Sequence, residues 1–83
     1  MSKRRIDLDP ETPIASLLEN VGLTAHALGV ADARAQGLED SAGARATVYA
    51  ASKRGANVAL AYLARVARAA GYRLKITIEK IDA

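Results

Sequence analysis

The chain has 83 residues, 12 of them Lys or Arg and 9 Asp or Glu, for a net charge of +3. That is a single small domain with no room for a second. Apolar residues make up 51%, but 19 residues are alanine and there is no Phe or Trp. A core built this way is thin, which favours a homodimer that shares its core over a stable monomer. The absence of cysteine excludes disulfides, thiolate nucleophiles and zinc-finger sites. The longest uncharged run, Asn20–Ala31 at 12 residues, is too short to span a bilayer. Lys3-Arg4-Arg5 is followed by Asp7 and Asp9, which does not read as a signal peptide. The expectation is a soluble cytoplasmic protein.

Residues 1–9 alternate weakly and read as a basic arm or a short strand. Asp9-Pro10 and Thr12-Pro13 both have the form of an N-cap followed by proline at the first helical position. Ile14, Leu17, Leu18 and Val21 continue at helical spacing, and Gly22 ends that helix. A second helix begins at Thr24 and carries Leu28; Gly29 is read either as a break or as a bend. Ala31–Leu38 has helical composition, and Gly37 and Gly43 bracket an acidic segment in which Glu39-Asp40 caps the next helix. Arg45–Arg54 is a further helix with Val48, Tyr49 and Ala51 or Ser52 inward, ended by Gly55.

The clearest helix runs from Asn57 as N-cap to Ala70, with Gly71 left-handed beyond it. Leu60, Leu63, Val66, Ala67 and Ala70 form its apolar stripe, and Arg65 and Arg68 sit on its flank. From Arg73 the period changes to two. Leu74, Ile76 and Ile78 alternate with Arg73, Lys75, Thr77 and Glu79, predicting a half-buried strand over 72–81. Its partner is either Ile6–Leu8 of the same chain or a second chain across a two-fold axis.

Charge is unevenly distributed along this order. Residues 1–42 sum to −3 and residues 43–83 to +6. No acidic residue lies between Asp40 and Glu79, a stretch that holds Arg45, Lys53, Arg54, Arg65, Arg68, Arg73 and Lys75. Such a stretch is either a solvated basic face or a surface for a polyanion, and its length favours nucleic acid.

No catalytic constellation can be assembled. His26 is the only histidine and reads as a surface or packing residue; Asp7 and Asp9 are a weak metal signal. No cofactor or metal is implied. Short helices with small turn residues and a basic face instead suit a helix-turn-helix. Two windows offer one. The upstream window, Thr24–Ala31 with Ala35 and Leu38, gives Asp32–Gln36 as the reading helix, with Arg34 and Gln36 as readers and Asp32 against phosphate. The downstream window turns near Ala42-Gly43-Ala44 and reads with Arg45–Arg54, which electrostatics favours. There Arg45, Thr47 and Tyr49 would meet bases, Lys53, Arg54 and Asn57 would hold phosphates, and Lys3, Arg4 and Arg5 would form an additional arm. Tyr49 reads equally as a core residue; Tyr62 and Tyr72 are assigned to packing.

Arg45-Ala-Thr-Val-Tyr49, Gly55-Ala-Asn-Val58 and the stretch Leu60–Leu74 resemble the C-terminal half of the helix-turn-helix antitoxins called addiction-module antidote proteins. These read S-R-E-x-L-Y, then G-N-P, then a helix ending A-L-G-L-x-L. Arg45 and Tyr49 fall on the motif arginine and tyrosine, Ala56-Asn57-Val58 on G-N-P, and Ala69-Ala70-Gly71 on A-L-G. Upstream, Ala27-Leu28-Gly29 and Ala33–Leu38 resemble A-L-G and A-R-A-x-G-M. The likeness covers about 50 of 83 residues. The segment Gly37–Tyr49 is about one turn short of the family's, Ala46 replaces the acidic residue, and Val58 replaces the proline.

The resemblance implies a homodimeric, operator-binding protein that also neutralises a RelE/ParE-like toxin. The DNA-binding half is also similar to Cro/repressor-type phage regulators, which have no toxin partner. The expected fold is therefore mainly α: a four- to five-helix helix-turn-helix domain with a C-terminal β-strand, dimeric. The expected partner is a double-stranded DNA operator, without a membrane. The remaining alternative is an interaction module whose acidic N-terminal half binds a basic partner.

Overall fold

Local capping signals set where the first two helices start. In the computed structural model, which describes residues 5–82, α1 spans Pro13–Val21, with Thr12 before it and proline at its first position. Asp9-Pro10 is a turn ahead of this helix: the Thr12 N–H donates to the Asp9 carbonyl at 3.1 Å. Gly22, at φ +77°, closes α1 by donating to the Leu18 carbonyl. A side chain is strained in that conformation, so glycine suits the position. Helix α2 covers Ala25–Ala35, and the Thr24 hydroxyl accepts from the Ala27 N–H at 3.0 Å. The two helices meet at 95°.

Helix α2 runs through Gly29 without a break, so Ala31–Ala35 is its continuation and the upstream reading helix, Asp32–Gln36, does not exist as a separate element. Helix α3, Ala42–Lys53, starts three residues before the predicted Arg45. Its start is set by the Asp40 carboxylate, which accepts from the Ala42 N–H at 2.9 Å. Ala42-Gly43-Ala44 is thus the first turn of α3, and the connection from α2 is the segment 36–41. Helix α4 is Leu60–Ala69, preceded by Ala59. Asn57 lies in the preceding connection and caps nothing there.

The described residues form four helices, which surround one small core. Ile14, Leu17, Leu28, Val48, Ala51, Leu63, Val66 and Ala67 are buried together, flanked by half-buried Leu8, Leu18, Val58, Tyr62 and Leu74. Leu60, expected on the α4 stripe, is the first residue of α4 and is exposed. Helices α2 and α3 make the most extensive packing in the bundle. A Cβ on Gly29 would fall 2.8 Å from the Arg45 backbone nitrogen and closer still to its Cα. Only a hydrogen fits, so the two backbones cross there.

A buried charge pair ties α2 to α4. The Asp32 carboxylate, fully buried, accepts from Arg65 Nε at 3.1 Å and Nη2 at 3.2 Å, and from Gln36 Nε2 at 3.1 Å. The Arg65 guanidinium also lies over the Tyr62 ring at 5.1 Å. Burial, and secondarily the Asp32 charge, push the Tyr62 phenol above its ordinary value, which keeps it protonated. Asp32 therefore serves the interior rather than a phosphate-facing surface.

The C-terminal strand expected over 72–81 does not form, and no β-strand is present among the described residues. Strand geometry requires a hydrogen-bonding partner. Residues 5–9 do not provide one. Leu8 turns onto the core, and the Asp9 N–H donates to the Ser16 hydroxyl at 3.1 Å. Leu74 still packs against the core, but Ile76, Ile78 and Ile81 are 60%, 92% and 83% exposed. The alternation is real, and the described residues hold no strand partner for it. The expected fold is corrected to a mainly α four-helix bundle. No single described helix is long and apolar enough to cross a membrane; α1 and α2 pass that test only as a bent pair.

Candidate nucleic-acid interface

The tight crossing at Gly29 decides which side of α3 faces outward. Val48 and Ala51 are buried against the core, and Ala44 and Arg45 are half-buried toward α2. Ala42, Gly43, Ala46, Thr47, Tyr49, Ala50 and Lys53 are left exposed. The first two turns thus present only methyl groups, a hydrogen and a hydroxyl, so another surface can approach the helix backbone closely.

Arg45 emerges at the edge of this face. Its Nε–H donates to the Ser41 hydroxyl at 3.0 Å, and Nη1 lies 3.4 Å from His26 Nδ1 on α2. Ala25, His26, Ala42, Arg45, Ala46 and Tyr49 line a shallow, open depression between the starts of α2 and α3. Tyr49 is 60% exposed, which overturns its reading as a core residue. Lys53 Nζ sits 5.2 Å above its ring, a cation–π contact that orders both side chains at the surface. The Thr47 hydroxyl donates to the Gly43 carbonyl at 2.9 Å, so its oxygen is left as an acceptor toward solvent.

The expected phosphate-holding residues fall at the other end of the helix. Arg54 and Asn57 are exposed in the turn from α3 to α4, which Gly55 makes possible at φ +65°. Arg5 is exposed and paired with Asp7 at 3.3 Å, so its charge is locally offset. Lys3 and Arg4 lie outside the described residues. The structure puts Tyr49 and Lys53 on the exposed face of α3, sets Arg45 and Thr47 at the two opposite edges of that face, and puts Arg54 and Asn57 beyond its end.

Charge balance distinguishes this region from the rest. Among the described residues, the ion pairs are Arg5–Asp7 and Arg65–Asp32. Of the basic residues in the acid-free stretch, Arg65 is therefore neutralised, while Arg45, Lys53, Arg54, Arg68, Arg73 and Lys75 form no ion pair. Two participants escaped the sequence. Ser41 was detectable in principle, since it precedes Arg45 by four residues on a helix. His26 was not, because 19 positions separate it from Arg45 and only the helix crossing joins them. No protein-family model matches the chain, and no curated protein or solved structure matches it.

Proposed function

We propose that the chain is a helix-turn-helix DNA-binding regulator that acts as a homodimer in the cytoplasm and reads its operator with α3. The carrying observation is the outer face of α3. It combines a small-residue start, Arg45 at its edge and Tyr49 on it, and Lys53 and Arg54 without carboxylate partners. Short side chains admit the helix to the major groove, and unpaired cations release counterions from phosphates. Arg45, Thr47 and Tyr49 are the base-reading candidates; Lys53, Arg54 and Asn57 hold the backbone.

The particular form we propose is an antitoxin that represses its own operon and neutralises a RelE/ParE-like toxin. Its support is the resemblance across Arg45–Leu74 together with an acidic N-terminal half suited to a basic partner. Co-expression with the product of the adjacent gene tests it: a stable complex and relief of growth arrest are expected. A neighbour that neither binds nor arrests growth removes the antitoxin part and leaves a Cro-like repressor.

DNA binding is tested by selecting preferred sequences from a random duplex pool. Arg45→Ala is expected to cost about 1–3 kcal/mol on the selected site and relax preference at one base pair. Lys53→Ala should weaken all sequences alike and reduce the salt slope by about 1. Absence of any salt-dependent binding at low ionic strength refutes the proposal.

The homodimer draws support from the exposed C-terminal isoleucines. Two tails laid antiparallel about Thr77 bring Lys75 of one copy beside Glu79 of the other, and Ile76 beside Ile78. Ile78→Asp is expected to give a monomer by sedimentation velocity and to abolish two-half-site binding. A wild-type protein that sediments as a monomer at all concentrations excludes the dimer.

A further inference from the structure

We infer that His26 and Ser41 are positioning residues that clamp the Arg45 guanidinium so that its terminal edge reads a guanine. The inference rests on the proposal that α3 is the reading helix and adds to it both a base and a mechanism. A guanidinium carries five N–H donors and no acceptor. Ser41 Oγ takes the Nε–H, and His26 Nδ1 lies within reach of one Nη1 hydrogen. Since the guanidinium can only donate, Nδ1 is the accepting nitrogen and the imidazole proton resides on Nε2.

The arrangement has two consequences. With the Nε edge occupied by Ser41, one Nη1 hydrogen and both Nη2 hydrogens remain for a ligand. When His26 takes the Nη1 hydrogen that faces back toward Cδ, the end-on pair of Nη1 and Nη2 stays free, and it matches the O6 and N7 acceptors of guanine in the major groove. Adenine offers a donor at the position of O6, so the same edge rejects it. Second, the exposed His26 at the first turn of α2 keeps its Nε2–H free for a phosphate oxygen. One imidazole then bridges the DNA backbone to the base-reading side chain. The clamp exists only because Gly29 lets α2 and α3 approach, which sets His26 beside a residue 19 positions away.

The test measures a ratio of affinities with the full chain. The numerator is the selected site; the denominator is that site with guanine replaced by adenine at the base pair whose preference Arg45→Ala abolishes. His26→Ala is expected to lower the ratio about fivefold, the loss of one ordering hydrogen bond. His26→Asn places an amide oxygen where Nδ1 stood and should keep the ratio within about twofold of wild type. In the Arg45→Ala background, His26→Ala should leave the ratio unchanged. Thermal melting of each variant checks the fold independently.

A ratio unaffected by His26→Ala, while Arg45→Ala abolishes it, overturns the clamp and leaves α3 as the reading helix. Equal weakening on both sites also overturns it, since His26 would then contact only phosphate. If no preferred sequence emerges, or none depends on Arg45, the reading of α3 itself fails and the clamp falls with it.

Discussion

Gly29→Ala is expected to lower the stability of this protein by about 2 kcal/mol, or roughly 10 °C in Tm for a domain of this size. Helix propensity alone predicts the opposite sign, because alanine inside a helix is favoured over glycine by about 1 kcal/mol. The crossing decides the outcome. The new methyl group would meet the Arg45 Cα and backbone nitrogen, and neither can rotate aside as a side-chain tip does. The helices must separate, and overpacking of this kind costs about 1–3 kcal/mol and sometimes more.

Gly43→Ala is the matched control. It lies in the first turn of α3 with nothing within 4 Å of its added Cβ, so it should leave the protein as stable or slightly more so. A Gly29→Ala protein that melts at or above wild type would show that the crossing is loose. The same variant should lose base discrimination, since it moves His26 away from Arg45.

Arg65→Met should destabilise the fold by about 3 kcal/mol, at the lower end of what breaking a buried pair costs because Arg65 itself is half exposed. The loss has a specific origin. Asp32 has no access to solvent, so removing its partner leaves a buried carboxylate with Gln36 as its one remaining side-chain donor. Removing the charge as well should therefore help. Asp32→Asn in the Arg65→Met background is expected to recover more than half of the loss in urea or thermal unfolding, because a buried amide costs far less than a buried charge. If the single and double variants unfold together, the pair contributes little and the Arg65 stem against Tyr62 carries the effect.

The two variants separate what was legible in the sequence from what was not. Thr12-Pro13, Thr24, Gly22 and Gly71 act within a turn of their own positions, and each marks a helix boundary where the pattern placed it. Of Glu39-Asp40, the Asp40 carboxylate does meet the first N–H of α3, from the residue before the Ser41 cap position. Gly29 stayed open between a break and a bend because its absence of side chain serves a neighbouring helix, not its own. Asn57 misled: a good cap residue lies unused in a connection that Gly55 and Val58 shape.

The site shows the same division. Arg45, Thr47, Lys53 and Arg54 were legible as a basic helix, and the helix exists. The outward placement of Tyr49 was not legible, because helical spacing alone allows it to face either way. His26 and Asp32 each act through a partner more than a dozen positions away, 19 in one case and 33 in the other, and no local pattern carries such pairs.

By itself the sequence determined a thin, alanine-rich helical bundle whose positive charge collects after Asp40, because propensity, capping and net charge are local or additive quantities. Tertiary structure alone decided which cations are paired, which face of α3 is free, and whether the alternating tail finds a partner. Those outcomes depend on one backbone crossing at Gly29, one carboxylate buried against Arg65, and the absence, among the described residues, of a second edge for residues 73–80. Each is a relation between segments distant in the chain, and only packing brings such segments together.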